Sequence, residues 1–423
     1  MRQATMTRRG ALAAAAAAPW LAGCASPRWP PRFSASQALL DRYVAEGKIA
    51  GACLAIGRGD APPTWVNAGV RARGLPEPAG PDTLWRIYSM TKPITAVAAL
   101  EMIEEGPERL DQPIADFLPA FARMQVATAY DPLQTRPAAR PITLRHLMTH
   151  TSGLSYHINE GSPLAPVYRA AGVMPVGAQL DVQEGDGAPP TDLETFAACV
   201  APLPLIDDPG ARWEYSIGLD VLGAVIQAAW GLPFETFLRR RLLAPLGMDD
   251  TGFSVPAAKR SRLAANYLIT PDGPREIDAP ATSAWIDAQV MPSGGAGLVS
   301  SARDYARFCA MLLNGGAVGR WRLLRPRTAA LARSNLLPPE TRAFPPWWSG
   351  DAFGAGMGVI TPASAKPGRE PPGAYGWAGA AGTSMWIDPV NGFYAVLMTH
   401  FMPSRAYPLW DETRAAVYAD LAA

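Results

Sequence analysis

The segment from Thr91 to Glu105 constrains the fold more than any other part of the chain. It has the pattern of a helix, with Pro93 in its first turn and Gly106 just beyond its end. Three glutamates form one polar edge, whereas most other positions carry Ala, Val, Leu, Ile or Met. Because a helix that is apolar on most faces has to be covered by other elements, we expect it inside a large core.

Short β-rich runs lie near both ends of the chain, and helical patterns lie between them. Ala50–Gly57 and Thr64–Ala72 flank a Gly/Pro turn and predict a hairpin. Ser384–Asp388 and Gly392–His400, joined by Pro-Val-Asn-Gly, predict a second. One sheet built from such distant segments gives an α+β fold with a helical insert. Further helices are expected at 34–48 (with a side-chain N-cap), 217–230, 234–243 and 409–421. Loops are expected at roughly 122–141, 155–192, 335–350 and 361–374.

Ser89-Met-Thr-Lys92 stands at the start of the buried helix. The chain has only four lysines, and Lys92 is the one with a serine three residues before it. This spacing places both side chains on one helix face. A serine hydroxyl becomes a nucleophile when a base removes its proton, and a buried lysine can be that base because burial disfavours the ammonium form. The helix N-terminus adds N–H donors for a developing oxyanion.

Other kinds of chemistry find little support. Neither Gly-x-Ser-x-Gly nor His-Glu-x-x-His occurs. His146 and His150 are four residues apart, but no third ligand is near, so we expect packed or capping histidines rather than a metal site. Basic and acidic residues number 38 and 37, a balance without the electrostatic footprint of a nucleic-acid partner. Widely spaced cysteines in apolar stretches predict buried thiols without disulfides: Cys53, Cys199 and Cys309.

The Ser89-x-x-Lys92 element resembles that of serine β-lactamases and penicillin-binding proteins. Four further stretches, in family order, are similar to the class C β-lactamase-related family: Ile142–Leu154, Pro209–Ser216, Pro245–Phe253 and Gly294–Asp304. The resemblance runs from about residue 34 to 421. It implies a serine β-lactamase/transpeptidase-like α+β fold, with an antiparallel sheet flanked by helices and a mainly helical subdomain. We expect one catalytic domain over 34–423, whose α/β part is 34–120 and 290–423 and whose mainly helical part is 121–289.

The family's second motif, Tyr-x-Asn, is matched by Tyr215-Ser216-Ile217. The resemblance implies that Tyr215 completes the proton relay with Lys92. Ile217 replaces the asparagine that helps the family's β-lactamases bind the amide side chain of their substrates. Ile217 is therefore the candidate substrate-binding residue of this motif.

The third motif, Lys-Thr-Gly, is matched by Trp377-Ala378-Gly379. Gly379 would let the strand backbone approach a ligand, and the family pattern implies an oxyanion hole made by the N–H groups of Ser89 and Ala380. β-Lactams and D-Ala-D-Ala peptides are carboxylates, for which the motif's lysine supplies a matching charge. Trp377 instead offers an apolar wall that suits a neutral ester. Tryptophan here and Tyr-Ser in the second motif are features of family VIII carboxylesterases and of fungal acyltransferases of this fold.

We therefore expect a serine carboxylesterase that hydrolyses neutral, short-chain esters through an acyl-enzyme on Ser89, with no metal or organic cofactor. Three alternatives stay open: a β-lactamase or D-amino-acid peptidase, an acyltransferase to an alcohol acceptor, and a catalytically silent binding or assembly protein. Acyl-chain preference would depend on loops 155–192 and 335–350, where Trp347 and Trp348 are candidates.

Residues 1–23 have the features of a lipoprotein signal peptide. Three arginines and no acid accompany an alanine-rich run that is shorter than the ~20 residues of a membrane span. Leu21-Ala-Gly-Cys24 resembles the bacterial lipobox, and Thr7–Leu12 resembles a twin-arginine export signal, with Ala11 where Phe is usual. We expect lipidation of Cys24, a tether over 24–33, and a membrane-anchored domain on the periplasmic side.

Overall fold

The computed structural model describes residues 29, 32–131, 133–159, 161–175, 183–286, 291–341, 344 and 352–423. The predicted signal peptide, Cys24, Trp347 and Trp348 lie outside these residues, so the predictions made for them stay predictions. The α-helices are α1 (Ser34–Ala45), α2 (Thr91–Glu105), α3 (Leu144–Met148), α4 (Ala165–Ala170), α5 (Leu193–Val200), α6 (Gly218–Trp230), α7 (Phe234–Leu238), α8 (Ala244–Leu246), α9 (Ala302–Leu313), α10 (Pro326–Ala332) and α11 (Leu409–Ala422). A π-helical turn, Arg239–Leu243, joins α7 to α8.

The strands are β1 (Gly51–Gly57), β2 (Thr64–Gly69), β3 (Leu84–Arg86), β4 (Gln125–Tyr130), β5 (Leu133–Pro137), β6 (Asn266–Thr270), β7 (Gly273–Asp278), β8 (Val299–Ser301), β9 (Ala317–Val318), β10 (Trp321–Arg322), β11 (Ala352–Phe353), β12 (Gly358–Val359), β13 (Tyr375–Ala378), β14 (Ser384–Asp388) and β15 (Phe393–Thr399). Seven of them form one antiparallel sheet in the order β11-β12-β13-β14-β15-β1-β2. β1 pairs with β15, with Ala52 opposite Thr399. The prediction of one sheet from both ends of the chain is confirmed.

Helices cover both faces of this sheet. Every residue of β1 is buried, because alternate side chains enter different cores. Cys53 and Ala55 pack in the core that contains α2 and α9, whereas Ala52, Leu54 and Ile56 pack in the core that contains α1 and α11. The larger core continues through α3, α5, α6 and α7, so the α/β and helical parts share it.

The helix α2 has the predicted bounds and the predicted burial. Its residues from Thr91 to Met102 are all buried. Part of its polar edge faces α7 and α8, where Arg241 forms ion pairs with Glu101 and Glu105. The N-terminal end of α2, which carries Lys92, therefore lies in the interior of the molecule.

Three sequence predictions about local structure were wrong. The expected loop 155–192 contains the helix α4, Ala165–Ala170. The expected loop 122–141 contains the hairpin β4–β5, whose second strand is exposed throughout and so lacks the alternation of apolar residues that indicates a strand. The start of α1 has no side-chain N-cap from its own segment. Instead, Asp420 of α11 accepts hydrogen bonds from the backbone N–H groups of Ala35 and Ser36, at 2.8 and 2.9 Å. Asp420, 385 positions from Ala35 in the chain, thus acts as the N-terminal cap of α1.

All three cysteines are free thiols, as predicted. Cys53 and Cys309 are buried, but Cys199 is half-buried, so the prediction of burial was wrong for this residue. Within the described ranges, no three His, Cys, Asp or Glu side chains come together as a metal site requires. No single helix in the described part of the chain has both the length and the apolar composition to cross a membrane. One pair of helices, Gly218–Trp230 and Phe234–Leu246, meets those criteria only jointly and is bent by 80° at its break.

Candidate active site

Ser89 lies on a 3₁₀ turn, Tyr88–Met90, between β3 and α2. Tyr88 has a φ of +42°, in the left-handed region that a bulky residue adopts only when its surroundings enforce it. Its ring packs against Trp285 at 6.1 Å between centroids, and its hydroxyl accepts a hydrogen bond from Asn266 at 3.3 Å. At the other end of the turn, the Met90 carbonyl accepts a hydrogen bond from Tyr305 at 2.8 Å. The serine is therefore presented by a strained but well-held turn.

The structure brings together Ser89, Lys92 and Tyr215, three residues that the sequence analysis selected. The Lys92 Nζ atom lies 3.3 Å from Ser89 Oγ, and the Tyr215 hydroxyl lies 2.6 Å from the same oxygen. Lys92 is fully buried, and its Nζ is 4.6 Å from the centre of the Tyr215 ring. Two groups able to exchange protons therefore both contact one serine hydroxyl.

His150 holds the segment that carries Tyr215, a contact that sequence reasoning missed. The two rings lie 4.8 Å apart, and His150 Nδ1 accepts a hydrogen bond from the backbone N–H of Ser216 at 3.2 Å. Burial, together with the positive charge of Lys92, holds the pKa of His150 well below its usual value. The imidazole is therefore neutral, as its role as an acceptor requires. His150 has a φ of +57° and is therefore a second residue with a left-handed backbone next to the site.

His146 is a capping residue of α3, as the sequence analysis expected. Its backbone N–H donates to Thr143 Oγ1 at 3.4 Å, and its Nδ1 accepts from the Thr143 N–H at 3.2 Å. The pair forms a capping box at the helix N-terminus. Burial lowers the pKa of His146 to about 4, so this ring too is neutral near pH 7.

A buried polar network behind Lys92 was also missed. Lys92 Nζ donates to the carbonyl oxygen of Gly295 at 2.8 Å, and the Gly295 N–H donates to Asp220 Oδ1 at 3.0 Å. Asp220 lies on α6 and is fully buried. The sequence did carry a signal: Asp220 is the one charged residue of α6 and interrupts an apolar run from Gly218 to Ile226.

A cavity of about 610 Å³ opens beside Ser89. Trp377 on β13 forms part of its wall, with its ring 6.0 Å from that of Tyr215 and 5.2 Å from that of Phe353. Gly379 and Ala380 line the same cavity, so the residues matched to the third motif share this cavity with Ser89.

A glycine is needed at position 379 for packing within the protein. A Cβ atom at this position would lie 2.4 Å from the carbonyl oxygen of Ile87, two residues before Ser89. The missing side chain thus allows the strand to pack against the turn that carries the serine. The prediction that Gly379 also lets the backbone approach a ligand stays a prediction, because the residue lines the cavity as well.

The structure does not bring Ile217 to the cavity, which corrects its selection as a substrate-binding residue. Its side chain is fully buried in the main core and is not part of the cavity lining. The position lies at the N-terminus of α6, where the residue before the first helical turn faces inwards. An apolar side chain at this point is stabilised by packing, so Ile217 joins the core.

Charged residues also line the cavity, and none of them stands in a motif that the sequence analysis used. They are Glu370, Arg405 and Arg414. Arg414 forms an ion pair with Glu370, and its guanidinium lies 5.0 Å from the centre of the Trp386 ring. The positive charge of Arg414 is therefore offset within the cavity wall.

The sequence profile of the family described as Beta-lactamase matches residues 37–419. The chain belongs to the beta-lactamase family. The α+β fold and the family predicted from sequence are thereby confirmed, and the turn that carries Ser89 lies inside the matched range.

One esterase and two solved structures illustrate the similarity of this beta-lactamase family chain to known proteins. Esterase EstB of Burkholderia gladioli is 31% identical over 400 residues, which covers 90% of this chain and 94% of EstB. The solved structure of EstCE1, described as a hydrolase with promiscuous acyltransferase activity, is 27% identical with a TM-score of 0.75 and covers 91% of this chain and 98% of its own. Unliganded simvastatin synthase (LovD) from Aspergillus terreus is 25% identical with a TM-score of 0.74, over 92% and 97% of the two chains.

Proposed function

We propose that this protein is a serine hydrolase that cleaves neutral carboxylic esters through an acyl-enzyme on Ser89. The observation that carries the proposal is the position of Ser89 Oγ between Lys92 Nζ and the Tyr215 hydroxyl, at the edge of a cavity with an aromatic wall. The similarity to an esterase and to a hydrolase over nine-tenths of the chain supports the same reaction class.

In the first half of the reaction, Ser89 Oγ attacks the ester carbonyl and its proton passes to the Lys92–Tyr215 pair. The same proton then goes to the departing alkoxide, which leaves as an alcohol. In the second half, water gives a proton to the pair and attacks the acyl-enzyme, which releases the carboxylic acid and restores the serine. Ester and water are thus converted to acid and alcohol, with no net change in the enzyme.

The negative charge of the tetrahedral intermediate needs hydrogen-bond donors near the carbonyl oxygen. We propose the backbone N–H groups of Ser89 and Ala380 for this role. Both residues line the cavity, and the contact of Gly379 with Ile87 keeps the two backbone segments close together.

A neutral ester is the substrate class that the cavity wall favours. Trp377 stands where the family's β-lactamases have a lysine, and it presents an indole instead of a positive charge. Of the two arginines that line the cavity, Arg414 has its charge offset by Glu370. An apolar acyl or alcohol group can bury against Trp377 without leaving a charge unpaired.

The test is a comparison of kcat/KM for p-nitrophenyl butyrate and for a chromogenic cephalosporin. We expect the ester to be preferred by ~100-fold or more, a margin that differences in cavity contacts can supply. Faster turnover of the cephalosporin would assign the protein to the β-lactamases. If neither substrate is turned over and a fluorophosphonate does not label Ser89, the protein is a catalytically silent member of the family.

Acyl transfer to an alcohol is a second candidate, favoured by the description of EstCE1 as a hydrolase with promiscuous acyltransferase activity. Transfer differs from hydrolysis only in the nucleophile that attacks the acyl-enzyme. Adding a primary alcohol to the ester assay and measuring the new ester by mass spectrometry separates the two reactions. A transfer product that exceeds the free acid at millimolar alcohol would make the protein an acyltransferase.

We also propose that the protein is an exported lipoprotein anchored through Cys24. The support is the lipobox-like sequence that ends at this residue. The Cys24→Ser variant should keep its esterase activity but leave the detergent phase in a phase-partitioning experiment, because acyl chains supply the anchoring. An unchanged detergent-phase fraction would exclude the anchor.

A further inference from the structure

Asp220 carries a carboxyl group although the part of α6 around it is buried and apolar. It lies in the first turn of α6, is fully buried, and its neighbours on that helix from Gly218 to Ile226 are buried as well. Burying a carboxyl group is unfavourable unless its oxygens are hydrogen-bonded or its charge is balanced. The contacts of Asp220 therefore indicate why this position holds an acid.

One oxygen of Asp220 fixes the loop that contacts Lys92. Its Oδ1 accepts hydrogen bonds from the Ser293 hydroxyl and from the Gly295 N–H, the latter at 3.0 Å. The carbonyl oxygen of the same Gly295 accepts from Lys92 Nζ at 2.8 Å. A single residue thus separates the carboxyl group from the amine, and the hydrogen bonds on its two sides polarise each other.

The loop has little freedom to move away from this arrangement. A Cβ atom on Gly295 would lie 2.4 Å from Asp220 Oδ2, and one on Gly294 would lie 2.4 Å from the carbonyl oxygen of Leu219. On the other side, Thr95 of α2 donates to the Gly294 carbonyl at 2.7 Å. The loop is therefore clamped between α2 and α6, and Asp220 sets the direction in which the Gly295 carbonyl points.

The second oxygen, Oδ2, is buried and has no hydrogen-bond partner among the described residues. Burial raises the pKa of Asp220, and the nearby positive charge of Lys92 opposes this by favouring the carboxylate. The titratable groups that interact with Asp220 are Lys92 on α2 and Tyr156 on the segment after α3. Of the two, only Lys92 can carry a positive charge, so the carboxylate is balanced whenever Lys92 holds a proton.

We propose that Asp220 is a positioning residue for Lys92. It holds the Gly295 carbonyl on the amine and stabilises the ammonium that forms when Lys92 takes the proton of Ser89. The inference rests on the proposed function, because it assigns Asp220 to the step in which Ser89 is activated.

Asp304 provides a matched control for a purely structural role. It is also a buried aspartate in the first turn of a helix, and it accepts from the Asp250 N–H at 2.7 Å and from the Thr251 hydroxyl at 2.9 Å. Its hydrogen bonds hold residues 250 and 251, whereas those of Asp220 hold the Gly295 loop that contacts Lys92. Loss of charge at the two positions should therefore affect folding in similar ways and catalysis in different ways.

The experiment compares Asp220→Asn and Asp304→Asn with the wild type, using p-nitrophenyl butyrate from pH 5 to 9 and thermal unfolding as the folding control. We expect Asp220→Asn to lower kcat by ~100-fold with KM changed less than ~3-fold, since it acts on proton transfer and not on binding. The acid limb of its kcat/KM profile should move to lower pH, because the ammonium form of Lys92 loses a neighbouring negative charge. Asp304→Asn should change kcat less than ~2-fold. Equal kcat values in the two variants would overturn the proposal.

Two further measurements cover other outcomes. If Asp220→Asn does not fold, Ser293→Ala removes one donor to the same carboxyl group, and it should lower kcat by ~10-fold. A wild-type kcat in that variant would then overturn the proposal. If the wild-type protein hydrolyses no ester, the proposed function fails, whereas the rate of fluorophosphonate labelling of Ser89 still tests the inference. Slower labelling in Asp220→Asn supports it and equal labelling refutes it.

Discussion

The cavity beside Ser89 has two walls that differ in construction. The catalytic wall, made by Ser89 and Tyr215 with Lys92 and Gly295 buried behind them, is held by hydrogen bonds between the Tyr88–Met90 turn, α2, the segment before α6 and the loop after residue 291. The substrate wall, made by Trp377 to Ala380 on and after β13, presents aromatic and apolar groups, with charged residues further along the cavity. Lys92 is fully buried, whereas Trp377 is half-buried.

This difference separates two properties of the protein. Under the proposed function, the catalytic wall determines which reaction can occur, and its groups are positioned before substrate arrives. The substrate wall then determines which molecule is accepted, through apolar contact area and unpaired charge. Changes in the first wall should therefore abolish turnover of every substrate, while changes in the second should alter the ratio between substrates.

Ser89→Ala should have the largest effect. It removes the nucleophile and leaves the turn and α2 intact, so kcat/KM for every ester should fall by more than ~1000-fold while the protein stays folded. Steady-state kinetics with circular dichroism as a folding control measures this. Retention of more than a few per cent of the wild-type rate would show that another residue is the nucleophile.

Tyr215→Phe should have the next largest effect. It removes the hydroxyl that lies 2.6 Å from Ser89 Oγ but keeps the ring that packs against His150 and Trp377. We expect kcat to fall by ~100-fold or more for both good and poor esters. The control is Tyr168→Phe, which removes a buried hydroxyl that accepts from the Ser155 N–H outside the cavity. Equal activity in the two variants would remove Tyr215 from the relay.

Trp377→Lys tests the substrate wall. An ammonium ~4 Å from a carboxylate at an effective dielectric near 20 is attracted by about 4 kcal/mol, most of which desolvation can cancel. We expect a ~10-fold gain in kcat/KM for a cephalosporin relative to a neutral ester, or about 1.4 kcal/mol. Trp321→Lys, at an exposed tryptophan on β10, is the control and should leave the ratio unchanged. An unchanged ratio in Trp377→Lys would show that this residue does not select substrate charge.

His146→Gln should have the smallest effect on activity and a distinct effect on stability. The folded pKa of His146 is about 4, against 6.5 for an unperturbed imidazole, because burial disfavours the charged ring. Its contribution to stability is therefore present above pH 6.5 and is lost as the pH falls from about 6.5 to about 4. Protonation of His146 should therefore lower the free energy of unfolding by about 3 kcal/mol over this pH range.

Glutamine at position 146 still completes the capping box and does not titrate. Urea unfolding at pH 7 and pH 4.5 should show a smaller loss of unfolding free energy in the variant than in the wild type. Identical losses in the two proteins would mean that His146 is not the group responsible.

The sequence predicts those parts of the fold and site that depend on residues close together in the chain. Ser89 and Lys92 are three residues apart, so helix geometry alone places them together. The burial of α2 and both hairpins of the main sheet follow from local periodicity. Tyr215 was found only through the resemblance to a family, because 126 residues separate it from Ser89.

The contacts that were missed depend on tertiary packing. No local pattern indicates that Gly295 contacts Lys92, that Asp420 caps α1, or that Arg414 enters the cavity wall. The inward orientation of Ile217 was missed for a related reason. A motif match assigns a position in the chain, whereas the packing of α6 decides which way the side chain points.

The most direct test of the account is to find the residue that a fluorophosphonate modifies. The wild-type protein is treated with a slight excess of the reagent, digested and mapped by mass spectrometry, while residual esterase activity is measured on the same sample. The account predicts one adduct, on the peptide at Ser89, with activity lost in proportion to labelling and no adduct in Ser89→Ala. Complete inhibition with the adduct on another residue, or full labelling of Ser89 with activity retained, would contradict it.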